Sequence, residues 1–190
     1  VSTPDNYLIG PGDILNIDVW GASQHGYQEI VSNDGTISIS KIGPISVNGL
    51  TMEAANNKLK NVFTKVYSGI KDGQTFLKVG LASVRSIKVN IVGEVTLPGT
   101  YNLSSLASVF NAMYAAGGPS ETGTLREVKI IRGNEVVAII DFYEYLLKGQ
   151  QSNNMRLQDQ DVIFVPPYSN RVEIKGAVLR EKQFDMRDSE

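Results

Sequence analysis

Residues 89–103 read VNIVGEVTLPGTYNL, and residues 172–186 repeat that pattern without gaps as VEIKGAVLREKQFDM. Val, Ile, Gly and Val recur in register. An aromatic and a long apolar side chain follow in each copy: Tyr101 with Leu103, and Phe184 with Met186. Such self-similarity is typical of repeated structural units. Residues 171–190 are therefore predicted to be the opening strands of a second, truncated copy. Alone they cannot bury an apolar face, so either they pair with the preceding domain or the natural protein continues; we favour continuation, which makes this chain a fragment.

The first copy of the repeat lies in a region of short strands and helices, residues 85–170. A helix is predicted from Ser105 to Ala116, where Gly117-Gly118-Pro119 ends it. Its expected buried face consists of Leu106, Val109, Phe110 and Met113. Gly133-Asn134 is typical of a hairpin turn, and Asp141 is expected to cap a short helix to Leu147. Strands are expected at 87–95, 101–103, 126–132, 136–140 and 161–165.

The preceding region, residues 1–84, shows a similar mixture of elements. Thr51 is a predicted N-cap for an amphipathic helix over 52–66. The apolar positions at helical spacing are Met52, Ala55, Leu59, Val62 and Val66. Asn33-Asp34-Gly35 predicts a hairpin between residues 30–31 and 37–39. Further strands are expected at 15–20, 42–47 and 75–81. Together the two regions predict an α+β fold with mixed strands and helices on one face.

Composition excludes several classes of partner and chemistry. The 190 residues carry a formal net charge of −2 and no basic cluster, which argues against nucleic acid as a partner. The chain has no cysteine, so disulfides, thiolate catalysis and Cys-based zinc sites are excluded. No stretch approaches the roughly 20 apolar residues of a membrane helix. Residues 1–4 lack the features of a signal segment. Any membrane contact is expected to come from segments outside this sequence.

No set of side chains resembles a catalytic or metal site. His25 is the only histidine, and a triad with Ser23 and an aspartate lacks the usual nucleophile elbow, so a surface loop is the expected place for His25. Asp13 and Asp18 form a conceivable carboxylate pair for glycoside hydrolysis. We expect Asp13 to bond backbone N–H groups of a turn, and Asp18 to point outward from a strand. Asp159 and Asp161 resemble part of a calcium loop, but a turn before a strand fits them better. We predict no catalytic, cofactor-binding or metal-ligating residues, and no cofactor.

Aromatic side chains are the remaining candidates for ligand contacts, since their faces pack on the apolar faces of sugar rings. The candidates are Trp20, Tyr27, Tyr67 and Tyr101. Aromatic residues more often belong to a core or an interface, and Trp20 on its strand is predicted to be a core residue. The sequence therefore assigns no ligand-binding residue.

An ordered series of short motifs resembles the outer-membrane polysaccharide export proteins, whose members form capsule and exopolysaccharide export channels. Their export domain is matched by Tyr7-x-Ile9-Gly10-Pro11-Gly12-Asp13, Val19-Trp20-Gly21, Asp34-Gly35-x-Ile37 and Gly49-Leu50-Thr51-x-Glu53-Ala54. A soluble-ligand-binding β-grasp (SLBB) module is matched by Arg85-Ser86, Val92-Gly93-Glu94-Val95-x-x-Pro98-Gly99-x-Tyr101, Ala115-Ala116-Gly117-Gly118, Leu125-Arg126-x-Val128 and Asp161-Val162-Ile163-x-Val165-Pro166. No single motif is specific, but their order over nearly the whole chain is. In the second copy, Gly176-Ala177-Val178 replaces Gly-Glu-Val, and Arg180-Glu181 replaces Pro-Gly.

The resemblance implies an export domain over 1–84, a β-grasp domain over 85–170 and the first strands of a second β-grasp repeat over 171–190. It implies a homo-oligomeric ring on the periplasmic side of the bacterial outer membrane that conducts polysaccharide and performs no catalysis. An inner-membrane polysaccharide copolymerase or kinase component is the implied partner. Many members also carry a lipidated N-terminal cysteine and a C-terminal membrane-spanning segment, neither of which is present here.

Two other readings stay open. One is a monomeric glycan- or cell-wall-binding β-grasp module that acts as a tether or sensor. The other is an envelope enzyme that depends on Asp18 or His25.

Overall fold

The computed structural model describes residues 6–150, 155–177 and 182–186. The chain divides into two compact units, Val1–Arg85 and Ser86–Glu190. Helices and strands occur in both, and the predicted α+β class is confirmed. No helix in the described ranges is long and apolar enough to cross a membrane.

The first unit is an antiparallel sheet with one face covered by a helix. The sheet has the strand order β2-β1-β5, and β3 pairs with β4 in a separate hairpin. The elements are β1 (Ile14–Gly21), β2 (His25–Ile30), β3 (Thr36–Ile39), β4 (Gly43–Ser46), α1 (Met52–Phe63), a 3-10 turn (Ser68–Ile70) and β5 (Thr75–Ser83). Leu15, Ile17 and Val19 alternate toward α1 and are fully or almost fully buried. This alternation is what a half-buried strand requires.

Helix α1 confirms the predicted cap and corrects the predicted end. The Thr51 hydroxyl accepts a hydrogen bond from the Ala54 N–H at 3.2 Å. The helix ends at Phe63 instead of 66, and Phe63 is fully buried while Val66 is 40% exposed. The prediction that Val66 belongs to the buried face was therefore wrong. Phe63 continues the row of Ala55 and Leu59 at the four-residue spacing that places side chains on one helix face.

The Asn33-Asp34-Gly35 turn is formed, but the predicted hairpin partners were wrong. Gly35 has a φ of +79°, and its N–H donates to the Ser32 carbonyl at 2.8 Å. Hydrogen bonds from the Ser32 hydroxyl and then from Thr36 lower the pKa of Asp34. However, β3 pairs with β4 and β2 pairs with β1. The turn therefore carries the chain from the three-stranded sheet to the β3–β4 hairpin, whose Ile37 and Ile39 are buried in the core of the first unit.

The second unit is a mixed sheet with the strand order β7-β6-β10-β8-β9. Strand β10 runs parallel to β6 and antiparallel to β8, so the middle of the sheet joins distant parts of the chain. The elements are β6 (Ser86–Gly93), β7 (Gly99–Ser104), α2 (Val109–Ala115), β8 (Val128–Arg132), β9 (Glu135–Ile140), α3 (Phe142–Lys148), β10 (Val162–Val165), β11 (Asn170–Ile174) and β12 (Lys182–Met186).

Helix α2 begins later than predicted. Ser108 caps it, and the Asn111 side-chain oxygen accepts a hydrogen bond from the Ser108 N–H at 3.0 Å, which completes a capping box. The predicted start at Ser105 was wrong. The side chains of Ser108 and Asn111 bond each other's backbone N–H groups, so the helix begins after Ser108. Other local predictions are confirmed: Asp141 caps α3, and positive φ angles at Gly133 and Asn134 form the β8–β9 turn.

The two copies of the repeat form hairpins with the same register. In the first, Val89 lies opposite Tyr101; in the second, Val172 lies opposite Phe184, at the equivalent positions. Arg180 and Glu181, which replace Pro-Gly in the second copy, lie outside the described residues. Strands β11 and β12 therefore pair as the equivalent residues of β6 and β7 do, and the second repeat unit stays a prediction.

Candidate functional site

Asp13 is a structural residue at the base of the first unit. It is fully buried, and each of its two carboxylate oxygens accepts two hydrogen bonds. Oδ1 accepts from the Tyr7 hydroxyl at 2.6 Å and the Arg85 N–H at 2.8 Å, while Oδ2 accepts from the Gly10 N–H at 2.8 Å and Arg85 Nη1 at 2.9 Å. The expectation that Asp13 bonds a turn is confirmed. With all four positions occupied, this carboxylate has no capacity left for general acid or base chemistry.

Asp161 repeats this arrangement in the second unit. Like Asp13, it follows a residue with positive φ and accepts from the N–H three residues earlier, here Gln158 at 2.8 Å. Both of its oxygens bind Arg132, at 2.8 and 2.9 Å, and these bonds raise the pKa of the Arg132 guanidinium. Asp159 accepts from the Lys88 N–H at 2.7 Å. The prediction that Asp159 and Asp161 belong to a turn before a strand is confirmed. Over the described ranges, no cluster of acidic or histidine side chains could hold a metal ion.

A third buried carboxylate, Asp185, attaches the β11–β12 hairpin to the rest of the second unit. Its side chain accepts from Arg171 Nε at 2.7 Å and from the Leu125 N–H at 3.2 Å. Its N–H donates to the Tyr143 hydroxyl at 2.7 Å, and its carbonyl accepts from Arg126 Nη1 at 3.2 Å. Sequence reasoning missed this residue, because each of its partners outside the hairpin is more than 40 positions away in the chain.

His25 and Asp18 do not form a catalytic pair. Asp18 lies beside Gly26 in the β1–β2 ladder, whereas His25 lies opposite Val19, so the two side chains leave opposite faces of the sheet. Both are exposed, as predicted, but the predicted loop was wrong for His25, because this residue begins β2 and pairs with Val19. The His25 ring lies 5.7 Å from Tyr27, whose hydroxyl is 2.7 Å from that of Tyr67. Burial, and then the hydrogen bond to Tyr67, raise the pKa of Tyr27 to about 12.

Trp20 contradicts the prediction that it is a core residue. It has the sequence parity of Asp18 and not that of Val19, so it points to the sheet face that α1 does not cover. Its side chain is 44% exposed and lies directly across from Phe76 of β5, which is 49% exposed. The two rings are near-parallel, with centroids 5.8 Å apart and planes 25° apart. We call this pair the aromatic platform.

Polar side chains and glycines surround the aromatic platform on the same sheet face. The next ladder row toward the sheet centre holds Gly26, Asp18 and Lys78, and the row after it holds Gln28, Asn16 and Gly80. Asp18 and Lys78 are exposed, and neither side chain has a hydrogen bond or ion pair with any described residue. A Cβ at Gly80 would meet nothing within 4 Å, so the centre of this face is low and open.

The second unit carries an apolar groove of about 410 Å³ along α2 and α3. Its lining includes Phe110, Tyr114, Leu125, Phe142, Tyr145 and Leu146. Tyr114 is 90% exposed and Leu146 is 58% exposed. The lining of the groove is mostly aromatic and apolar, with Asn111 as a polar side chain, which is a composition common in ligand-binding pockets. The other aromatic candidate in this unit, Tyr101, uses its hydroxyl to bond the Leu97 carbonyl at 2.6 Å and so holds its own turn.

Two protein-family models match the chain in succession. The model described as polysaccharide biosynthesis/export protein matches residues 1–80, and the model described as SLBB domain matches residues 87–165. Two curated relatives from Escherichia coli, each named polysialic acid transport protein KpsD, are 28% and 27% identical over 187 residues, or 98% of this chain. The chain spans 32% of the length of each relative.

Proposed function

Because the chain belongs to the outer-membrane polysaccharide export protein family, we propose that it forms part of the wall of an oligomeric conduit. This conduit stands on the periplasmic side of the bacterial outer membrane and carries capsular polysaccharide or exopolysaccharide. The observation that carries the proposal is the succession of an export domain and an SLBB domain along one chain. The inner-membrane copolymerase or kinase component is the proposed protein partner.

A wall performs no reaction, and the acidic residues support that role. The carboxylates of Asp13 and Asp161 are fully buried and bound to arginine. The side chains of Asp18 and His25 lie on opposite faces of the sheet. Neither arrangement provides the paired acid and base that glycoside hydrolysis needs. Such a protein acts through its surface, which guides its cargo without changing it.

The proposed cargo is a hydrated and acidic glycan. Two relatives are named for the transport of polysialic acid, which is an acidic polysaccharide. A strongly basic surface would retain such a chain, whereas this sequence has a formal net charge of −2. The near-neutral balance therefore favours passage over retention.

Self-association has two structural supports in the second unit. Strand β9 is at the edge of the sheet, and its Val136, Val137 and Ile139 are 42–55% exposed. Exposed apolar edge strands favour pairing with another chain. The apolar groove along α2 and α3 adds a second such surface. A closed ring is the arrangement in which identical subunits enclose a pore.

The test is removal of the full-length natural protein from its own cells. We expect polysaccharide synthesis to continue, the product to remain inside the envelope, and the surface polysaccharide to disappear. Restoring the full-length protein, or its His25→Ala variant, should restore the surface polymer. Unchanged surface polysaccharide in the deletion strain would contradict the proposal, and loss of synthesis itself would favour an enzyme.

The second candidate is a monomeric ligand-binding module, which the apolar groove of the second unit supports. It predicts saturable binding of a glycan or wall fragment by the monomer, with loss of binding on Tyr114→Ala in that groove. It also predicts normal surface polysaccharide in cells that lack the protein. The two candidate functions therefore predict different amounts of surface polysaccharide in the deletion strain.

A further inference from the structure

We propose that the aromatic platform, Trp20 with Phe76, is a stacking site for one pyranose ring of the passing glycan. This inference rests on the proposed function, which makes a glycan the molecule that this surface meets. It adds a specific site, in the first unit and not in the β-grasp unit, to which neither the family models nor the relatives assign a role.

The ring geometry provides an open apolar surface. The two near-parallel rings are offset, because their centroid separation of 5.8 Å is larger than that of a direct face-to-face stack. Part of each ring face therefore stays in contact with water, in agreement with exposures of 44% and 49%. A pyranose presents a face of C–H groups and a rim of hydroxyl groups. The C–H face can replace water on the two rings.

The neighbouring side chains supply partners for the hydroxyl rim. Asp18 is a hydrogen-bond acceptor and Lys78 a donor, and they lie side by side in the ladder row next to the platform. Neither side chain is bonded to another described residue, so both are available to a ligand. Lys78 additionally offers a positive charge to the carboxylate of an acidic sugar. The low floor at Gly26 and Gly80 leaves room for a chain to lie across the face.

A glycan fits this face better than a protein partner does. The cores of protein interfaces are depleted of charged residues. Here a free Asp18 and a free Lys78 lie one row from only two aromatic rings, and burying them under a protein would remove their hydration. A sugar has an apolar face and a polar rim at the same spacing, so it can cover the rings while hydroxyl groups replace water around the charges.

The binding should be weak, as passage requires. One stacked ring and two hydrogen bonds suggest a Kd on the order of 1 mM for a short oligosaccharide. A conduit that held each sugar tightly would stop its cargo. Weak sites instead keep the glycan near the wall while it moves.

Trp20 is the only tryptophan of the sequence, so its fluorescence reports on this site alone. The 190-residue chain would be titrated with sialic acid oligomers of roughly three to six units, about the length that one sheet face accommodates. We expect a saturable decrease in acrylamide quenching of Trp20. Phe76→Ala should weaken the apparent Kd at least tenfold, and Lys78→Gln should weaken binding of the acidic oligomers more than that of neutral glucose oligomers. Leu97→Ala, at an exposed apolar residue of the second unit outside its groove, is the matched control and should leave the Kd unchanged.

Amide chemical-shift changes give a readout that does not depend on the tryptophan. In the unsubstituted chain they should cluster at residues 16–20, 26–28 and 76–80, and Trp20→Ala should abolish them. Shifts elsewhere, or the same Kd in Phe76→Ala, would overturn the proposal. Urea unfolding checks that the variants remain folded.

The outcome is separable from that of the proposed function. If the deletion strain loses its surface polysaccharide but Trp20→Ala and Phe76→Ala leave oligomer binding intact, the platform proposal fails and the conduit stands. If the platform binds sugars but the deletion strain exports normally, the conduit proposal fails and the sugar site stands.

Discussion

Replacing Asp13 by asparagine should destabilise the first unit by about 3 kcal/mol. Each carboxylate oxygen of Asp13 accepts two hydrogen bonds, and the substitution converts one of these oxygens into an NH2 group. Asparagine can keep its oxygen toward Tyr7 and the Arg85 N–H. Its NH2 group then faces the Gly10 N–H and Arg85 Nη1, which are both donors. Two hydrogen bonds are lost, at about 1.5 kcal/mol each. This value is at the lower end of the range for hydrogen bonds to charged groups, because the Arg85 side chain is 31% exposed and can bond water instead.

The assay is urea unfolding followed by Trp20 fluorescence, since Trp20 lies in the first unit and reports on that unit. Asp18→Asn is the matched control: it makes the same chemical change on an exposed residue of the adjacent strand, and should alter the free energy of unfolding by no more than about 0.5 kcal/mol. A loss of less than about 1 kcal/mol for Asp13→Asn, or equal losses for the two variants, would refute the reasoning.

Three further predictions concern other parts of the molecule. Asp185→Asn should release the second hairpin, so that amide exchange in β11 and β12 accelerates while β6 stays protected; Glu173→Gln, in an exposed ion pair, should not do so, and equal exchange in both variants would contradict the assigned role. The pKa of Tyr27 is raised to about 12 above an ordinary value of 10.0, so the folded state holds this proton more tightly than the unfolded state. Its contribution to stability should therefore be complete below pH 10 and decline from there up to about pH 12. Tyr27→Phe should reduce that decline in urea midpoints, and an identical pH profile would argue against it. Phe63→Ala should cost about 3–5 kcal/mol and Val66→Ala less than about 1 kcal/mol in urea unfolding, a difference that fails if α1 continues to 66 as the sequence predicted.

The features that the sequence predicts well are local. Thr51 and Asp141 cap helices through side chains a few residues from the groups that they bond. Gly117 and Gly118 adopt the positive φ angles that end α2. The family resemblance is likewise confirmed, because it rests on the order of many short motifs and not on any one contact.

The features that the sequence missed depend on long-range geometry or on helix phase. The attachment of Asp185 to Leu125 joins segments 60 positions apart, which no local pattern connects. The pairing of β3 with β4 is a local hairpin, but the Asn33-Asp34-Gly35 turn signal led the prediction to the wrong strand partner. Trp20 is different, because strand parity with Asp18 was sufficient to place it on the outer face. The general tendency of tryptophan to be buried overrode that pattern. The sequence alone could have predicted the exposed position of Trp20, if strand alternation had been given more weight than residue type.

The most direct test of the conduit is the native mass and electron-microscope image of the full-length natural protein, extracted in mild detergent. The account predicts a closed ring of many identical subunits around a central opening, with the outer face of β1 and β5 accessible to the glycan. A monomer or small dimer without an opening would contradict it, and would give first place to the ligand-binding module.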